Sequence, residues 1–329
     1  VELDPVLGDE VAAVGADALA AAQAKKTNFT HADVVREISD LLPVNLGLAA
    51  DPTSGRELGA DIGELLDRLA DQALAQAVSL ESDAPGAGLE PEALRLRNGA
   101  SAYQAPGAGR YATAQHLRRE NDLRAATHPR DATRLAPSQV AAMVAELRGE
   151  GIELGSDQEA ALRGVLTSGA RVETLIGPAG TGKSFTVGTI ARAWTDPNNR
   201  PQGGPERRVF GLATAQLAAD ILAGEGLDAA NTTAWLGAQR RLAASAAEHR
   251  MPAPHDRAWR LSSGDVVVVD ESSMADTAAL AEIHGYVSAA GAKLLLVGDP
   301  RQLAAVGAGG GMELVADTQA GARYELTDA

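Results

Sequence analysis

No cysteine occurs among the 329 residues. Disulfides and thiolate metal sites are therefore excluded. The chain also lacks a run of about 18 apolar residues, so no transmembrane helix is expected. No charged-then-apolar leader opens it. A cytoplasmic protein is the expectation. The six histidines are scattered. Without an H-x-H or H-E-x-x-H pair, they give no basis for a histidine-built metal centre. Positive charge is short as well: 29 Lys and Arg face 44 Asp and Glu, for a net charge of −15. That average argues against a nucleic-acid partner, because neutralising phosphates uses Lys and Arg.

What is present begins with an ordinary apolar fraction of 45%, enough for a real core. The length suggests about two domains. The chain starts at Val1 and ends at Asp328-Ala329 just after an expected strand, which reads as a fragment of a longer polypeptide. The charge average hides a local contrast. Between Arg95 and Arg134 lie eight arginines (95, 97, 110, 118, 119, 124, 130, 134) and three acids, Glu120, Asp122 and Asp131. This stretch is either a solvated helix face or a patch facing nucleic acid.

Residues 1–136 read as a small, mainly helical domain. Residues 5–24 are Ala-rich and helix-prone. Thr30 can cap a second helix, with Asp33 three positions on and an apolar stripe of Val34, Val35, Ile38, Leu41 and Leu42. Residues 43–60 read as a loop. Ile62, Leu65, Leu66, Leu69 and Leu74 recur at helical spacing within 61–78. Residues 83–109, rich in Gly, Ala and Pro, read as a flexible connection. Tyr111–Thr113 is expected to be extended and to lead into a helix over Ala114–Leu123.

From 137 to 329 the pattern becomes α/β. Helices are expected from Pro137 to Leu147 and after Ser156. Strands Val172–Ile176, Val209–Ala213, Asp265–Val269 and Lys293–Val297 then alternate with helices Ser184–Trp194, Gln216–Ala223 and Ala278–Ala289. Buried strands alternating with helices imply a parallel sheet covered on both faces.

Three motifs carry chemistry. Gly177-Pro178-Ala179-Gly180-Thr181-Gly182-Lys183-Ser184 is a complete G-x-x-x-x-G-K-S, set between an expected strand and helix. Its glycines let backbone N–H groups wrap phosphates, and the following helix turns its N-terminal end to the negative charge. Lys183 is a point charge for the β- and γ-phosphates, and Ser184 offers an oxygen to Mg²⁺. ATP with Mg²⁺ is the expected ligand. Val266–Met274 forms the second motif. In it, Asp270 ends a buried strand and can hold the Mg²⁺ hydration shell, while Glu271 can activate the attacking water. The third, Leu294–Leu303, puts Gln302 where an amide could sense the γ-phosphate. Gln158, one helix upstream, could pair with adenine. Thr214, Thr232, Thr233 and Trp235 are candidates for single-stranded DNA contact, although Trp235 is equally suited to the core.

The order of these motifs resembles a superfamily 1 DNA helicase of the RecD-like branch, over roughly residues 137–326. The segment Thr27–Val35 with Gly109–Glu120 is similar to the region joining relaxase and helicase in MobF-type conjugative relaxases. The resemblance implies a P-loop NTPase (RecA-like) fold, the first of two motor domains. It also implies 5′→3′ movement on single-stranded DNA, coupled to ATP hydrolysis, and conjugation-machinery proteins as partners. It carries the catalytic roles onto Lys183, Glu271 and Gln302. A strand-separating hairpin would lie between Thr233 and Asp265. The second motor domain, whose arginines complete the ATP site, and the relaxase chemistry are absent from the sequence. An arginine finger is worth about 10³–10⁵ in rate, so this length of chain should bind ATP and hydrolyse it weakly. Two other readings remain: a P-loop ATPase that does not act on DNA, and a non-catalytic, ATP-dependent DNA-binding module.

Overall fold

A computed structural model describes residues 5–41, 55–80, 109–200, 204–300 and 307–327. Two compact units divide the chain, Val1–Arg118 and Arg119–Ala329. In the first, helices α1 (Pro5–Lys25), α2 (His31–Leu41) and α3 (Gly55–Leu74) pack around Leu19, Phe29, Val34, Ile38 and Ala73. The cap expected at α2 is formed. Thr30 Oγ1 accepts from the Asp33 N–H at 3.3 Å, and Asp33 Oδ2 accepts from the Thr30 N–H at 3.0 Å. The two bonds satisfy donors that a helix start would otherwise leave unpaired. Strand β1 (Val78–Ser79) pairs antiparallel with β2 (Tyr111–Ala112). α3 begins at Gly55, inside the stretch expected to be a loop. Extending a nucleated helix is cheap, which lets it run back over residues that show no apolar period. Residues 42–54, and most of the expected connection 83–109, lie outside the described residues.

The division at 118/119 falls within α4 (Ala114–Ala125) and ahead of the boundary expected at 136. Residues after α4 are tied to the second unit by their backbone. The Ala132 and Leu135 N–H groups donate to Gly169 O and Leu166 O at 2.9 and 2.8 Å. Arg171 grips Asp131 with two bonds, at 2.6 and 2.8 Å.

The second unit continues with α5 (Pro137–Gly149), α6 (Ser156–Thr167), β3 (Val172–Ile176), α7 (Lys183–Thr195), β4 (Val209–Ala213), α8 (Gln216–Gly224), β5 (Asp228–Asn231), α9 (Thr232–Ala247), α10 (Pro254–Arg257), β6 (Val266–Val269), α11 (Thr277–Ala290), β7 (Lys293–Gly298), α12 (Gly311–Ala316) and β8 (Ala322–Glu325). The six strands lie in the order β5-β4-β6-β7-β3-β8, and every neighbouring pair is parallel. All residues of β3, β4, β6 and β7 are buried. Burial on both faces is why these strands read as unbroken apolar runs. One side of the sheet packs on Leu162, Val187, Ile190 and Trp194; the other packs on Trp235, Leu280, Ile283 and Met312.

The hairpin expected between Thr233 and Asp265 does not form: residues 232–265 are all described and contain no strand. Helices α9 and α10 fill that interval. Eleven of the 16 residues of α9 are Ala, Leu, Gln or Arg, all strong helix formers, and Asn231 Oδ1 caps it by accepting from the Ala234 N–H at 2.8 Å. Pro252 and Pro254 have no N–H to give a ladder.

At the sheet end away from the phosphate loop, two charged residues are wholly buried. Lys293 Nζ donates to Val165 O at 2.8 Å and Ser168 O at 3.0 Å, and lies 3.5 Å from Glu173 Oε2. Ser168 Oγ donates to the same carboxylate. Burial pushes Glu173 up to about 8 despite the pull of Lys293, and pushes Lys293 down. The network ties β3 and β7 to the end of α6. Removing one partner would leave an uncompensated buried group, a strongly destabilising change.

Candidate nucleotide-binding site

Because all six strands run the same way, their C-terminal ends share one edge. From β3 the chain crosses β7 and β6 to reach β4; from β7 it crosses β3 to reach β8. Connections that diverge in this way open a crevice at the strand ends, the usual place for a ligand in such sheets. The loop Gly177–Ser184 leaves β3 on one side of that crevice. Asp270 follows β6 on the other, with only β7 between. At roughly 4.8 Å per strand, the ends of β3 and β6 are about 10 Å apart across the sheet.

The loop's glycines are required by its shape. Gly180 and Gly182 have φ of +87° and +78°, which side chains resist. A Cβ on Gly182 would sit 2.5 Å from Gln158 Nε2, and one on Gly177 would sit 2.7 Å from Thr181 Oγ1. Nothing lies within 4 Å of a Cβ on Gly180, so the space over the loop is open. Thr181 Oγ1 donates to Pro178 O at 2.9 Å and closes the turn from inside. Lys183 Nζ reaches across the loop and donates to Gly177 O and Pro178 O at 2.6 and 2.7 Å. No side chain caps α7, whose N-cap is Gly182, so the helix start keeps its donors for an anion.

Asp270 is half-buried, and burial raises its carboxyl above the ordinary range. The Glu271 N–H, which donates to it at 2.8 Å, and the Lys183 charge act against that shift. A cation beside Asp270 would offset the remaining cost. Ser184 and Asp270 supply hard oxygen donors of the type Mg²⁺ takes, the rest of its shell being water and phosphate in such sites. Among the described residues no cluster of three or more His, Asp or Glu forms an all-protein metal cage.

Glu271 is exposed and holds φ +51°, ψ +34°, a left-handed conformation that is uncommon outside glycine and costs about 1–3 kcal/mol. What over-determines it is Ser272, a residue to which the sequence motif assigns no role. Its hydroxyl donates to Val297 O at 2.9 Å and lies 3.0 Å from Met312 Sδ, wholly buried. Gly298 makes room for this turn, since a Cβ there would meet the Ser272 and Ser273 N atoms at 3.3 Å. The turn carrying Glu271 is thus seated on the end of β7. Only its burial marks Ser272 out, and a Ser-Ser pair after two acids gives no signal of that. Asp299 and Pro300 follow β7, and Gln302 lies outside the described residues.

Gln158, at the start of α6, touches the loop directly. Its Nε2 donates to Thr181 O at 3.1 Å, and its Oε1 accepts from the Gly155 N–H at 3.1 Å. Each side of the amide keeps one further N–H or lone pair.

The residues expected to meet DNA separate into two groups. Thr214 and Thr233 are exposed, at the ends of β4 and β5. Thr232 is buried, and its hydroxyl donates to Ala213 O at 3.1 Å. Trp235 is 0% exposed, its ring edge-on to Tyr286 at 6.2 Å. Neither can face a base or a phosphate: α9 turns both into the core against the sheet. Of the Arg-rich stretch, Arg95 and Arg97 lie outside the described residues, Arg118 and Arg124 are exposed, and Arg130 is spent on the carbonyls of Thr127, Pro129 and Ala320.

Strand order, glycine loop and opposed carboxylate define a P-loop NTPase domain that binds nucleotide. The chain belongs to the AAA domain family, whose model matches residues 153–329, more than half of the sequence. It is 28% identical over 237 residues to the conjugal transfer protein TraA of Agrobacterium fabrum, a match covering 70% of this chain and 19% of that protein. It is 29% identical over 165 residues to a probable conjugal transfer protein TraA of Sinorhizobium fredii, covering 50% of this chain and 13% of the relative. The chain therefore spans less than a fifth of either relative's length.

Proposed function

We propose that residues 137–329 are the first, ATP-binding motor domain of a RecD-like DNA helicase, preceded by a small helical domain, in a MobF-type conjugative relaxase-helicase. One observation carries the nucleotide part: the glycine loop bearing Lys183 and the strand end bearing Asp270 border one crevice, with only β7 between them. The conjugal-transfer names of both relatives support the DNA part.

In this reading the loop N–H groups and Lys183 hold the β- and γ-phosphates. Lys183 exchanges its bonds to Gly177 O and Pro178 O for phosphate oxygens. Ser184 and Asp270 would hold Mg²⁺, which screens the phosphate charge as it develops. Glu271 takes the proton from the attacking water and orients it in line with the bond to the β-phosphate, a role that needs an exposed carboxylate on a rigid turn. The free N–H and lone pair of Gln158 meet the adenine edge, and Gln302 senses the γ-phosphate. Thr214 and Thr233 lie on the same edge of the sheet as the nucleotide site, where hydroxyls can bond single-strand phosphates. Movement is 5′→3′, and the partners are single-stranded DNA and other proteins of the conjugation machinery. Among the described residues no helix is long and apolar enough to cross a membrane, which fits a cytoplasmic motor.

ATP hydrolysis by the full-length protein, measured with and without single-stranded DNA, tests this function. Stimulation of about tenfold or more, weakening with salt as phosphate contacts do, is expected. Hydrolysis that ignores single-stranded DNA would leave an ATPase with another substrate.

A further inference from the structure

We propose that Asp157 is a positioning residue that latches the segment leaving β8 to the nucleotide loop, so that loop occupancy is felt at Thr327. The proposal rests on the nucleotide reading above and adds a route of transmission to it.

Two successive residues at the start of α6 hold two separate parts of the chain. The Asp157 carboxylate accepts from the Thr327 N–H at 2.6 Å through Oδ2 and from the Gln158 N–H at 2.8 Å through Oδ1. Gln158, the next residue, donates to Thr181 O inside the loop at 3.1 Å. The first turn of α6 is therefore a rigid bridge between the loop and the residue two past the end of β8.

A second route joins the same two parts. The Leu326 N–H donates to Ile176 O at 2.7 Å, on the last residue before the loop. Leu326 is buried, and a Cβ on Gly177 would meet its Cβ at 3.0 Å and its carbonyl oxygen at 3.2 Å. The loop's first residue and the outgoing segment thus run in contact, and any shift in one displaces the other. Close-packed interiors pass such shifts on, since they offer few voids to absorb them.

The two routes differ in what they can report. The Leu326 bond senses the fixed base of the loop, at the end of a sheet strand. The Asp157 latch is reached through Thr181, in the part of the loop that wraps phosphate. When N–H groups there turn to a nucleotide, the Thr181 carbonyl held by Gln158 moves with them. Asp157 shares that helical turn and transmits the change to Thr327. A carboxylate is suited to the task because it accepts from two backbone donors at once, and charge-assisted bonds of this kind are short and strong. A residue serving only to favour the helix start would need no contact 170 positions away.

Binding linkage makes the proposal measurable. If the loop's nucleotide tightens the latch, breaking the latch must weaken nucleotide binding by the same factor. Couplings of this type run at roughly 5- to 150-fold. The test follows backbone hydrogen exchange over residues 322–329 with and without Mg-ATP, beside ATP affinity by titration, in the wild-type chain, Asp157→Ala and Thr327→Pro. The Ala variant loses both acceptors. The Pro variant removes the opposite donor and leaves Asp157 in place, and so covers the case in which Asp157→Ala does not fold. Expected are ATP-induced protection at Thr327 in the wild type, its loss in both variants, and about fivefold or greater weakening of ATP. ATP-induced protection that persists in the variants, or ATP affinity unchanged beside a mere drop in Tm, would overturn the latch alone. Failure of the wild type to bind ATP would instead overturn the nucleotide reading, and the latch with it.

Discussion

Replacing Glu271 with Gln is expected to slow ATP turnover by about 10²–10⁴-fold, the usual contribution of a positioned general base, while ATP binding stays close to the wild-type value. The separation of the two effects follows from the geometry. The turn that carries Glu271 is fixed by Ser272, through its bond to Val297 O, and by the close seat on Gly298. The Glu271 side chain itself is exposed and takes no part in holding that turn. Gln keeps its length and shape, so the backbone at φ +51° is as favourable, or unfavourable, as before. In the proposed function the phosphate contacts are assigned to Lys183 and the loop N–H groups, on the other side of β7. Single-turnover hydrolysis of ATP together with a binding titration reads both quantities. Turnover within a few-fold of wild type would assign the base to another group.

Trp235→Ala is expected to destabilise the second unit by about 3–5 kcal/mol, the range for deleting a buried aromatic side chain. The ring is among the largest wholly buried side chains, lies edge-on to Tyr286 of α11, and belongs to the core cluster that includes Phe210 and Leu236. Its midpoint in denaturant should fall with little change in slope. Trp235→Leu keeps an apolar side chain but no aromatic face, and in folded protein should leave single-strand affinity unchanged. Base stacking on an aromatic ring is worth roughly 1–3 kcal/mol. Loss of single-strand affinity on that scale in a stably folded Leu variant would return Trp235 to the DNA surface.

These two residues show what could and could not be read from the chain. Glu271 was legible because chemistry fixes its place: an acid pair closing a buried apolar strand, downstream of a glycine loop. The strands themselves were legible because burial on both faces writes an uninterrupted run, as in Val266–Val269. β5 was not, since Asp228–Asn231 is a short polar edge strand with one neighbour and no apolar pattern. Trp235 stood between two readings because an indole suits a base and a core equally; only the direction in which α9 turns it decides. Ser272 and Asp157 act through backbone atoms at positions 297 and 327. Partners that distant in sequence leave no local spacing to detect. The hairpin expected in 233–265 failed for the opposite reason: the family resemblance supplied it, while Ala-rich α9 and two prolines provide nothing from which to build a ladder.

Central to the proposed function is that the loop Gly177–Ser184 is a phosphate site completed by Asp270. Titration of Mg-ATP into the wild-type chain and into Lys183→Ala tests this directly. An ammonium bonded to phosphate contributes about 1.5–3 kcal/mol as a charge-assisted hydrogen bond, which is roughly 10- to 150-fold in Kd. Saturable, Mg²⁺-dependent binding to the wild type, weakened by at least tenfold in the variant, is the expected result. Equal affinity in the two proteins, or no binding to either, would contradict it.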